Sequence, residues 1–569
     1  MIAASGLTRA AQSGTPIILI SIDTLRADHL GIYSYRKIAT PHIDSFADHG
    51  TVFSHVDSQI PLTLPSHTVL FTSTYPFQNH VEENAEIVPS TLVTLASVLR
   101  KHGYQTGAFI GSSLLARRFG LDSGFDTYDS PFNLQSDETL GPYSVRVRRD
   151  GALVTRAALN WLASKRGQPA FAFIHLFDLH TPYSAGGLIP NTAGYDTEIK
   201  YVDQVIGHFQ DALKRSGWWD RSLVILLSDH GESLGDHGET SHGYFIYQST
   251  VHVPLIIHWP GGAGNHSARV DEPLGLIDVA PTILNFLQIA APSSFAGSNL
   301  PSQTYSESVY AHDAFHWAAL RRLCAGTLEY IDAPQPELYD LAADPSELHN
   351  LASKRPDETR RLREQLTKLR AAHANNKPDA AKDTSPAATA ALRSLGYLAG
   401  GGGSKKGTAE PDPKQRLPEY QAYEKALTAL YSEQPAAAVA GFNRLLAADA
   451  SNTLARYYLG EAYVKLARPN DAIREWRVAI QHDHNYAPAA IAIGKLYFAQ
   501  GLLDKASAAF QEAVTLAPYD FEAQFELGRT EERLGHYDEA ERHLALACGF
   551  LPDSAECQRE LSELRRKMK

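Results

Sequence analysis

Five short apolar runs, three of which end in aspartate, constrain the fold of this chain more than any other feature. They read PIILISID (16–23), TGAFIG (106–111), FAFIHLFD (171–178), SLVILLSD (222–229) and VPLIIHW (253–259). Runs that are apolar throughout are typical of parallel strands covered by helices on both faces, and amphipathic helical stretches separate them. Residues 1–372 are therefore predicted to form an α/β domain with a doubly wound sheet.

The C-terminal part of the chain repeats itself with a fixed period. Leu459-Gly460, Ile493-Gly494 and Leu527-Gly528 recur at intervals of 34 residues. Each pair is followed by a small and then a bulky residue, namely Ala472 and Trp476, Ala506 and Phe510, and Ala540 and Leu544. This period is typical of the helix–turn–helix tetratricopeptide repeat, so residues 417–569 are predicted to form an all-α solenoid of four repeats and a charged last helix. The Gly-, Pro- and Ser-rich residues 373–416 are predicted to be a flexible linker.

Composition excludes several classes of partner and site. The 569 residues carry a formal net charge of −12, which argues against nucleic acid as a partner. No apolar run approaches the roughly 20 residues that span a bilayer. No signal peptide is visible in MIAASGLTRAAQSG, so the compartment stays open, and a trimmed signal would make the protein an exported, periplasmic one. Three widely spread cysteines (Cys324, Cys548, Cys557) predict free, mostly buried thiols.

Polar residues follow three of the predicted strands at the point where each strand ends. Asp23 ends the first run, Asp178 ends the third and is followed by His180, and Asp229-His230 ends the fourth. Because ligands of parallel α/β sheets bind at the carboxyl ends of the strands, these side chains predict a metal site. Each aspartate, taken alone, is equally explained as a helix N-cap.

The segment PLTLPSH (61–67) places a threonine at the start of a predicted helix. Taken alone, Thr63 is best explained as an N-cap. With Pro65 near the first helical turn, the Thr63 hydroxyl would lie where free N–H groups and the helix dipole favour negative charge. Metal coordination turns such a hydroxyl into a strong nucleophile. Beside Asp23 and Asp229-His230, Thr63 is therefore interpreted as a nucleophile.

Six segments together resemble the sulfatase branch of the alkaline phosphatase superfamily. They are ISIDTLRADHLG, PLTLPSHTVLFTS, SDHGESLGDHGE, HVPLIIHWPG, IDVAPTIL and ELYDLAADPSELHNLA, in the family's order over most of residues 16–353. The resemblance implies the family's α/β fold and a metal-dependent ester hydrolase.

The nucleophile segment departs from the family's pattern at two residues. Sulfatases carry Cys or Ser at the position of Thr63, which is oxidised to formylglycine, and Arg at the position of His67. Threonine cannot give this aldehyde, and the Lys and His of a further sulfatase segment are missing from IGSSLLARRFG. Relatives with a metal-bound Thr act on phosphorus. The resemblance therefore implies hydrolysis of phosphodiesters, phosphonate monoesters or phosphomonoesters through a phosphothreonine intermediate.

The same relatives imply roles for three further residues. Asn84, 21 residues after Thr63, would hold a phosphoryl oxygen. His242, 12 residues after His230, would stabilise charge, and His180 would bind substrate; one of these histidines would protonate the leaving group.

The implied metal site holds one divalent ion in preference to two. Its ligands would be Asp23, Thr63, Asp229 and His230. Oxygen ligands with one imidazole suit Zn²⁺ or Mn²⁺, with Ca²⁺ less favoured. A second site, by analogy with two-metal relatives, would use Asp178, His180 and His242.

Two alternatives to a phosphorus-ester hydrolase stay open. The family's own name favours sulfate esters. A different class of protein, a scaffold that acts through its repeats and has an inactive first domain, would also carry this sequence. For a hydrolase, the expected partner of the first domain is a small-molecule or headgroup ester. The expected partner of the repeats is a protein.

Overall fold

The computed structural model describes residues 14–132, 148–183, 191–262, 268–298, 303–374, 410–550 and 555–569, except positions 49, 85, 182, 316, 485 and 519. Most of the predicted linker, residues 375–409, lies outside the described residues. The described residues divide into two compact units. The first is drawn from Met1–Phe132, Val145–Tyr310 and Ala318–Ala381, and the second from Ala311–Trp317 and Lys382–Lys569.

The first unit contains fourteen strands among its described residues. They are β1 Ile17–Ile22, β2 Gly50–Phe53, β3 Val56–Asp57, β4 Gln105–Phe109, β5 Thr127–Asp129, β6 Ala170–Leu176, β7 Leu223–Leu227, β8 Leu255–His258, β9 Ala268–Val270, β10 Leu274–Gly275, β11 Thr304–Ser308, β12 Leu320–Ala325, β13 Leu328–Asp332 and β14 Glu337–Asp340. Eight of them form one sheet in the order β5-β4-β6-β1-β7-β8-β2-β9. All five strands predicted from the sequence lie in this sheet.

The large sheet is mixed, whereas the sequence suggested a parallel one. Strands β5, β4, β6, β1 and β7 run parallel, but β8 pairs antiparallel with both β7 and β2. Apolar runs alone do not report strand direction, which depends on the connection between strands. The parallel part brings the carboxyl ends of β6, β1 and β7 side by side, with β1 in the centre.

Helices cover both faces of this sheet because its central strands are apolar on both sides. The longer helices of the unit are Thr63–Thr72, Leu95–Lys101, Gly151–Ser164, Thr192–Arg215, Val279–Phe286 and Pro356–His373. Shorter ones are Pro41–Asp44, Pro76–Asn79, Trp218–Arg221 and Gln248–Val251, and the short helix Tyr310–Phe315 begins at the last residue of this segment of the unit. Phe173 of β6 packs edge-on against Phe71 of the helix Thr63–Thr72, with ring centroids 4.9 Å apart. Its neighbour Ile174 joins the core formed with the helices Gly151–Ser164 and Thr192–Arg215, as the alternation of side chains along a strand requires.

A smaller antiparallel sheet follows, in the order β11-β12-β13-β14. Its core residues Leu323 and Leu338 pack against Leu362 of the helix Pro356–His373. Arg322 of β12 is fully buried and bridges Asp57 and Glu329, each through a 2.7 Å hydrogen bond. This buried ion pair ties the small sheet to β3 of the main body.

The second unit consists of paired helices. They are Leu417–Tyr431 with Pro435–Ala448, Thr453–Lys465 with Pro469–His482, Ala487–Ala499 with Leu503–Leu516, and Phe521–Leu534 with Tyr537–Phe550, followed by Ala555–Lys567. The repeated glycines let the two helices of a pair approach closely. A Cβ atom on Gly460 would lie 2.2 Å from Nε1 of Trp476, and one on Gly494 would lie 2.5 Å from the Phe510 ring. The helical repeat predicted from the 34-residue period is therefore confirmed.

Two of the three cysteines are not free thiols, so that prediction was wrong for them. Cys548 and Cys557 form a disulfide with Cα atoms 5.6 Å apart. They belong to successive helices, Tyr537–Phe550 and Ala555–Lys567, and sequence spacing does not reveal that these helices pack side by side. Cys324 is free and buried, as predicted.

None of the helices described here combines the length and the apolar character needed to cross a bilayer.

Candidate active site

Two aspartates stand together at the carboxyl ends of β1 and β7. Asp23 follows β1 directly, Asp229 follows β7 after Ser228, and both are fully buried. The Asp229 carboxylate accepts hydrogen bonds from the backbone N–H of Thr24 at 3.2 Å and of His230 at 2.9 Å. Thr24 has φ +58°, a left-handed conformation that costs a threonine energy and is typical of functional sites. Parallel pairing therefore brings together residues about 200 positions apart in the chain.

Thr63 is the first residue of the helix Thr63–Thr72 and is fully buried. The N-cap position belongs to Leu62, and no side chain caps this helix, so the N-cap explanation of Thr63 does not hold. Its Oγ1 lies 3.5 Å from Nε2 of His230. The hydroxyl thus sits beside the strand-end residues and at a helix N-terminus, where an anion is stabilised.

The group formed by Asp23, Asp229 and His230 can hold a cation. One ligand atom from each residue lies within 4.8 Å of the others. Oδ1 of Asp23 and Oδ2 of Asp229 are buried without a hydrogen-bond partner among the described residues. His230 donates from Nδ1 to the carbonyl of Gly231 at 3.0 Å, which leaves Nε2 as the nitrogen able to ligate. Orphaned buried oxygens and a fixed imidazole tautomer fit a divalent cation.

The pKa shifts of Asp23 and Asp229 also favour a bound cation. Burial raises the pKa of Asp23 to about 6, although the nearby His230 lowers it in part. Burial, and then the charge of Asp23, also raise the pKa of Asp229. Two adjacent buried carboxylates are costly to ionise without a compensating cation. A bound cation would remove that cost.

Asn84 is joined to the helix Thr63–Thr72. Its Oδ1 accepts a hydrogen bond from the backbone N–H of Leu64 at 2.8 Å. Its Nδ2 is buried without a hydrogen-bond partner among the described residues. The contact of its oxygen with Leu64, the residue after Thr63, therefore orients the Asn84 side chain. Its amide nitrogen is left as a buried donor.

Both predicted histidines lie next to this group. The His242 ring is 4.4 Å from the His230 ring and 5.3 Å from the His180 ring, measured between centroids. His180 stacks on Phe177 at 4.6 Å and donates from Nδ1 to the Thr181 carbonyl at 2.8 Å. The structure thus brings His180 and His242 to the same end of the sheet as Thr63.

Asp178 occupies a different position from the one that a second metal site requires. Its Oδ1 accepts a hydrogen bond from the backbone N–H of Gly151 at 3.0 Å, at the start of the helix Gly151–Ser164. Among the described residues, the groups whose ligand atoms lie close enough to share an ion do not include Asp178 with His180 and His242. Asp150 is the N-cap of that helix, so Asp178 contacts its first residue without being the N-cap that strand-end aspartates were expected to provide for a following helix.

Sequence reasoning missed a buried cluster beside Thr63. His67 donates from Nδ1 to the Thr63 carbonyl at 2.7 Å, and its Nε2 is 2.9 Å from Oγ of Ser21. His175 approaches Asp23 at 3.3 Å. Although ligand atoms of His67, His175 and Asp229 lie within 4.8 Å of one another, both nitrogens of His67 are already engaged, so this cluster supports the site rather than holding a second ion. The available signal was a polar residue inside an apolar strand: Ser21 in β1 faces His175 in β6.

Two further residues carry no sequence prediction but contact the site. Glu232 is fully buried, and its Oε1 lies 3.1 Å from Nδ1 of His242. Burial raises the pKa of Glu232 to about 8. Arg148 donates to the carbonyls of His180 at 3.1 Å and Asp178 at 3.3 Å. Burial lowers the pKa of Arg148, and the charges of Asp178 and Asp23 oppose that shift. A basic group therefore stands within electrostatic range of the paired carboxylates.

Comparisons with known proteins show which families this chain is similar to. Residues 16–289 match the sulfatase family model, and residues 423–483 and 491–555 match a tetratricopeptide-repeat model. The chain is 24% identical to arylsulfatase K of Bos taurus, over 63% of this chain and 82% of that protein. It is 22% identical to an N-acetylgalactosamine-6-O-sulfatase of Bacteroides thetaiotaomicron, over 62% of this chain and 93% of that protein.

A solved structure shares the fold of the first unit. The phosphonate monoester hydrolase of Agrobacterium radiobacter superposes with a TM-score of 0.51 at 21% identity. The superposition covers 63% of this chain and 96% of the hydrolase. Both sulfatases and a phosphorus-ester hydrolase are therefore similar to this chain.

Proposed function

Because this chain carries a domain of the sulfatase family, in the alkaline phosphatase superfamily, followed by tetratricopeptide repeats, we propose that it hydrolyses phosphorus esters with Thr63 as nucleophile. The substrates would be phosphodiesters, phosphonate monoesters or phosphomonoesters. One observation carries the proposal: the buried Thr63 hydroxyl lies at a helix N-terminus beside His230 and two buried carboxylates. A threonine cannot be converted into the aldehyde on which sulfatases depend, yet its hydroxyl can attack phosphorus.

Asp23, Thr63, Asp229 and His230 would hold one divalent cation, with Zn²⁺ or Mn²⁺ preferred to Ca²⁺ for this ligand set. When bound, the cation lowers the pKa of the Thr63 hydroxyl and offsets the negative charge of the buried carboxylates. The observation in favour is the orphaned pair of oxygens on Asp23 and Asp229.

The chain's own residues account for the rest of the reaction. Thr63, having lost its proton to water, forms a bond from Oγ1 to phosphorus while the bond from phosphorus to the departing oxygen breaks. Nδ2 of Asn84 donates to a phosphoryl oxygen, and its orphaned, buried state supports that role. Ring nitrogens of His180 and His242 stabilise the same oxygens and the departing one. Water or a second alcohol then releases the phosphoryl group from Thr63.

A second candidate function is hydrolysis of sulfate esters. The names of the similar proteins, arylsulfatase K and N-acetylgalactosamine-6-O-sulfatase, favour it. It requires Thr63 to attack sulfur directly, without an aldehyde.

A substrate panel on wild type and Thr63→Ala tests the proposal. The panel would contain an aryl phosphate monoester, a diester, a phosphonate monoester and a sulfate, each measured after loading with Zn²⁺ or Mn²⁺. We expect phosphorus esters to be turned over faster than the sulfate, and Thr63→Ala to lose at least about 10³-fold in kcat, because removal of a nucleophile costs at least this much. Ser45→Ala removes a half-buried hydroxyl that donates to the His42 carbonyl at the end of the helix Pro41–Asp44; it is the control and should keep full activity.

Three outcomes would contradict the proposal. Sulfate turnover that exceeds every phosphorus ester would establish the second candidate function. Wild-type diester turnover in Thr63→Ala would remove Thr63 from the mechanism. A protein that binds neither metal and hydrolyses no ester would be the inactive scaffold.

We also propose that the repeats bind a protein partner and that the chain works in an oxidising compartment such as the periplasm. The 34-residue helical repeat supports the first. The disulfide between Cys548 and Cys557 supports the second, because disulfides persist mainly outside the reducing cytosol. Thiol counting on protein freshly isolated from each cell fraction tests the compartment, and one free thiol per chain is expected.

A further inference from the structure

His242 differs from the other imidazoles of the site in the group that holds its ring. Its Nδ1 lies 3.1 Å from Oε1 of Glu232, a carboxyl group with no exposed surface. One proton is shared between Nδ1 of His242 and Oε1 of Glu232, and either group can carry it. Any hydrogen bond from His242 to an ester must therefore be made by Nε2.

Nδ1 of His180 makes a contact of a different kind. It donates to the Thr181 carbonyl at 2.8 Å. A backbone carbonyl fixes the tautomer of an imidazole, whereas a carboxyl group can also give a proton to the ring or take one from it. The contact with Glu232 therefore gives His242 a partner that can exchange a proton with its ring.

The turn that carries Glu232 is itself held rigidly. The Arg26 guanidinium donates from Nη1 to the carbonyls of Glu232 at 3.0 Å and of Ser233 at 3.2 Å. The same guanidinium is anchored by Asp28 and Asp236, each at 2.8 Å. Arg26 lies three residues after Asp23, so the loop after β1 supports the loop after β7 at this point.

We propose that Glu232 is a positioning residue that makes His242 the proton donor to the departing oxygen. In this step Thr63 Oγ1 bonds to phosphorus, the bond from phosphorus to the departing oxygen breaks, and its electron pair stays on that oxygen. The proton on Nε2 of His242 moves to the same oxygen while the proton shared with Glu232 settles on Nδ1, so that the ring ends neutral and Glu232 ends as a carboxylate. The inference rests on the proposed ester hydrolysis and adds a residue to it.

Esters that differ in their leaving group separate this role from a structural one. A p-nitrophenoxide needs no proton to depart, whereas an alkoxide does. In the cation-loaded protein, Glu232→Gln should lose about 100-fold in kcat/KM on an alkyl phosphodiester, the lower end of general acid–base effects. On the p-nitrophenyl ester it should lose less than about threefold.

The sequence offers a matched control. Glu239 is also fully buried in the same loop, but its carboxylate accepts hydrogen bonds from the backbone N–H groups of Tyr244 at 2.9 Å and Phe245 at 3.3 Å and does not serve His242. Glu239→Gln should affect both esters equally. His242→Ala should slow both esters, because it also removes a ring nitrogen from the phosphoryl oxygens, but it should lose more on the alkyl ester. The double variant should lose no more than His242→Ala alone, because the two residues act as one unit.

Two results would overturn the inference. The first is an equal loss on both esters in Glu232→Gln with an unchanged folded state. The second is a double variant whose loss is the product of the two single losses. A measurement that needs no turnover distinguishes failure of this inference about Glu232 from failure of the proposed ester hydrolysis. In protein labelled with ¹⁵N-histidine, the hydrogen-bonded Nδ1 proton of His242, identified by its loss in His242→Ala, should persist in Glu239→Gln and disappear in Glu232→Met. Its persistence in Glu232→Met would refute the contact itself, even if no ester is hydrolysed.

Discussion

Replacing Asp23 by asparagine should stabilise the cation-free protein and at the same time remove its cation binding. Asp23 is fully buried, and burial raises its pKa from 3.8 to about 6, against a smaller opposing effect of His230. The folded protein therefore binds a proton that the unfolded chain releases, so the contribution of Asp23 to the free energy of unfolding falls as the pH rises from 3.8 to about 6. At pH 7 the shift of about two units corresponds to a cost of about 3 kcal/mol.

Urea unfolding of wild type and Asp23→Asn, with a chelator and then with saturating Zn²⁺ or Mn²⁺, measures this cost. In the chelator at pH 7 the variant should be more stable by up to about 3 kcal/mol, and the difference should shrink towards pH 4. With the cation the order should reverse, because a ligand at 100 times its Kd stabilises wild type by about 2.7 kcal/mol. Asp28→Asn is the contrast: burial is outweighed there by Arg26, which lowers the pKa of Asp28 to about 2, so this variant should lose stability at pH 7.

The reasoning would be refuted by an Asp23→Asn protein that is less stable than wild type in the chelator at pH 7. It would also fail if the stability difference were the same at pH 4 and pH 7. Either result would mean that burial of the Asp23 carboxylate carries no cost for a cation to relieve.

Three further expectations concern stability and use urea unfolding. Gly460→Ala should lose about 2–3 kcal/mol, because the new Cβ would lie 2.2 Å from Nε1 of Trp476 and break its 3.0 Å hydrogen bond to the Tyr457 carbonyl. Gly549→Ala, in a helix with nothing near the new Cβ, should instead gain about 0.5–1 kcal/mol, and equal effects of the two changes would contradict the packing argument. Cys548→Ser should lose about 2–3 kcal/mol for the short loop that the disulfide closes, and wild type treated with dithiothreitol should show the same loss. Arg322→Met should lose about 3–5 kcal/mol, since Asp57 and Glu329 would lose the guanidinium that they share, and a loss below 1 kcal/mol would contradict this ion-pair argument.

Much of the fold could be read from local patterns. The five apolar runs became strands because residues buried on both faces of a sheet must be apolar at every position. The 34-residue period became paired helices because each glycine faces a bulky side chain of the second helix. These are short-range regularities, and a linear sequence displays them directly.

Pairings between distant segments could not be read in this way. The antiparallel direction of β8, the disulfide between Cys548 and Cys557, and the contact of Asp178 with Gly151 all depend on which segments meet. The apolar runs, the cysteine spacing and the strand-end aspartate were each compatible with more than one partner.

The candidate site shows the same division. Chemistry-bearing residue types and their order in the chain identified Asp23, Thr63, Asp229 and His230, because strand ends and helix starts are places where a fold presents polar groups. The partners of the site's groups came from packing alone: Glu232 lies against His242, Ser21 against His67, and His175 against Asp23. A hydrogen bond has a range of about 3 Å, and residues separated by dozens or hundreds of positions reach that distance only when the chain has folded. Residue chemistry is thus written in the sequence of this protein, while the orientation and protonation of each group follow from its neighbours in the folded chain.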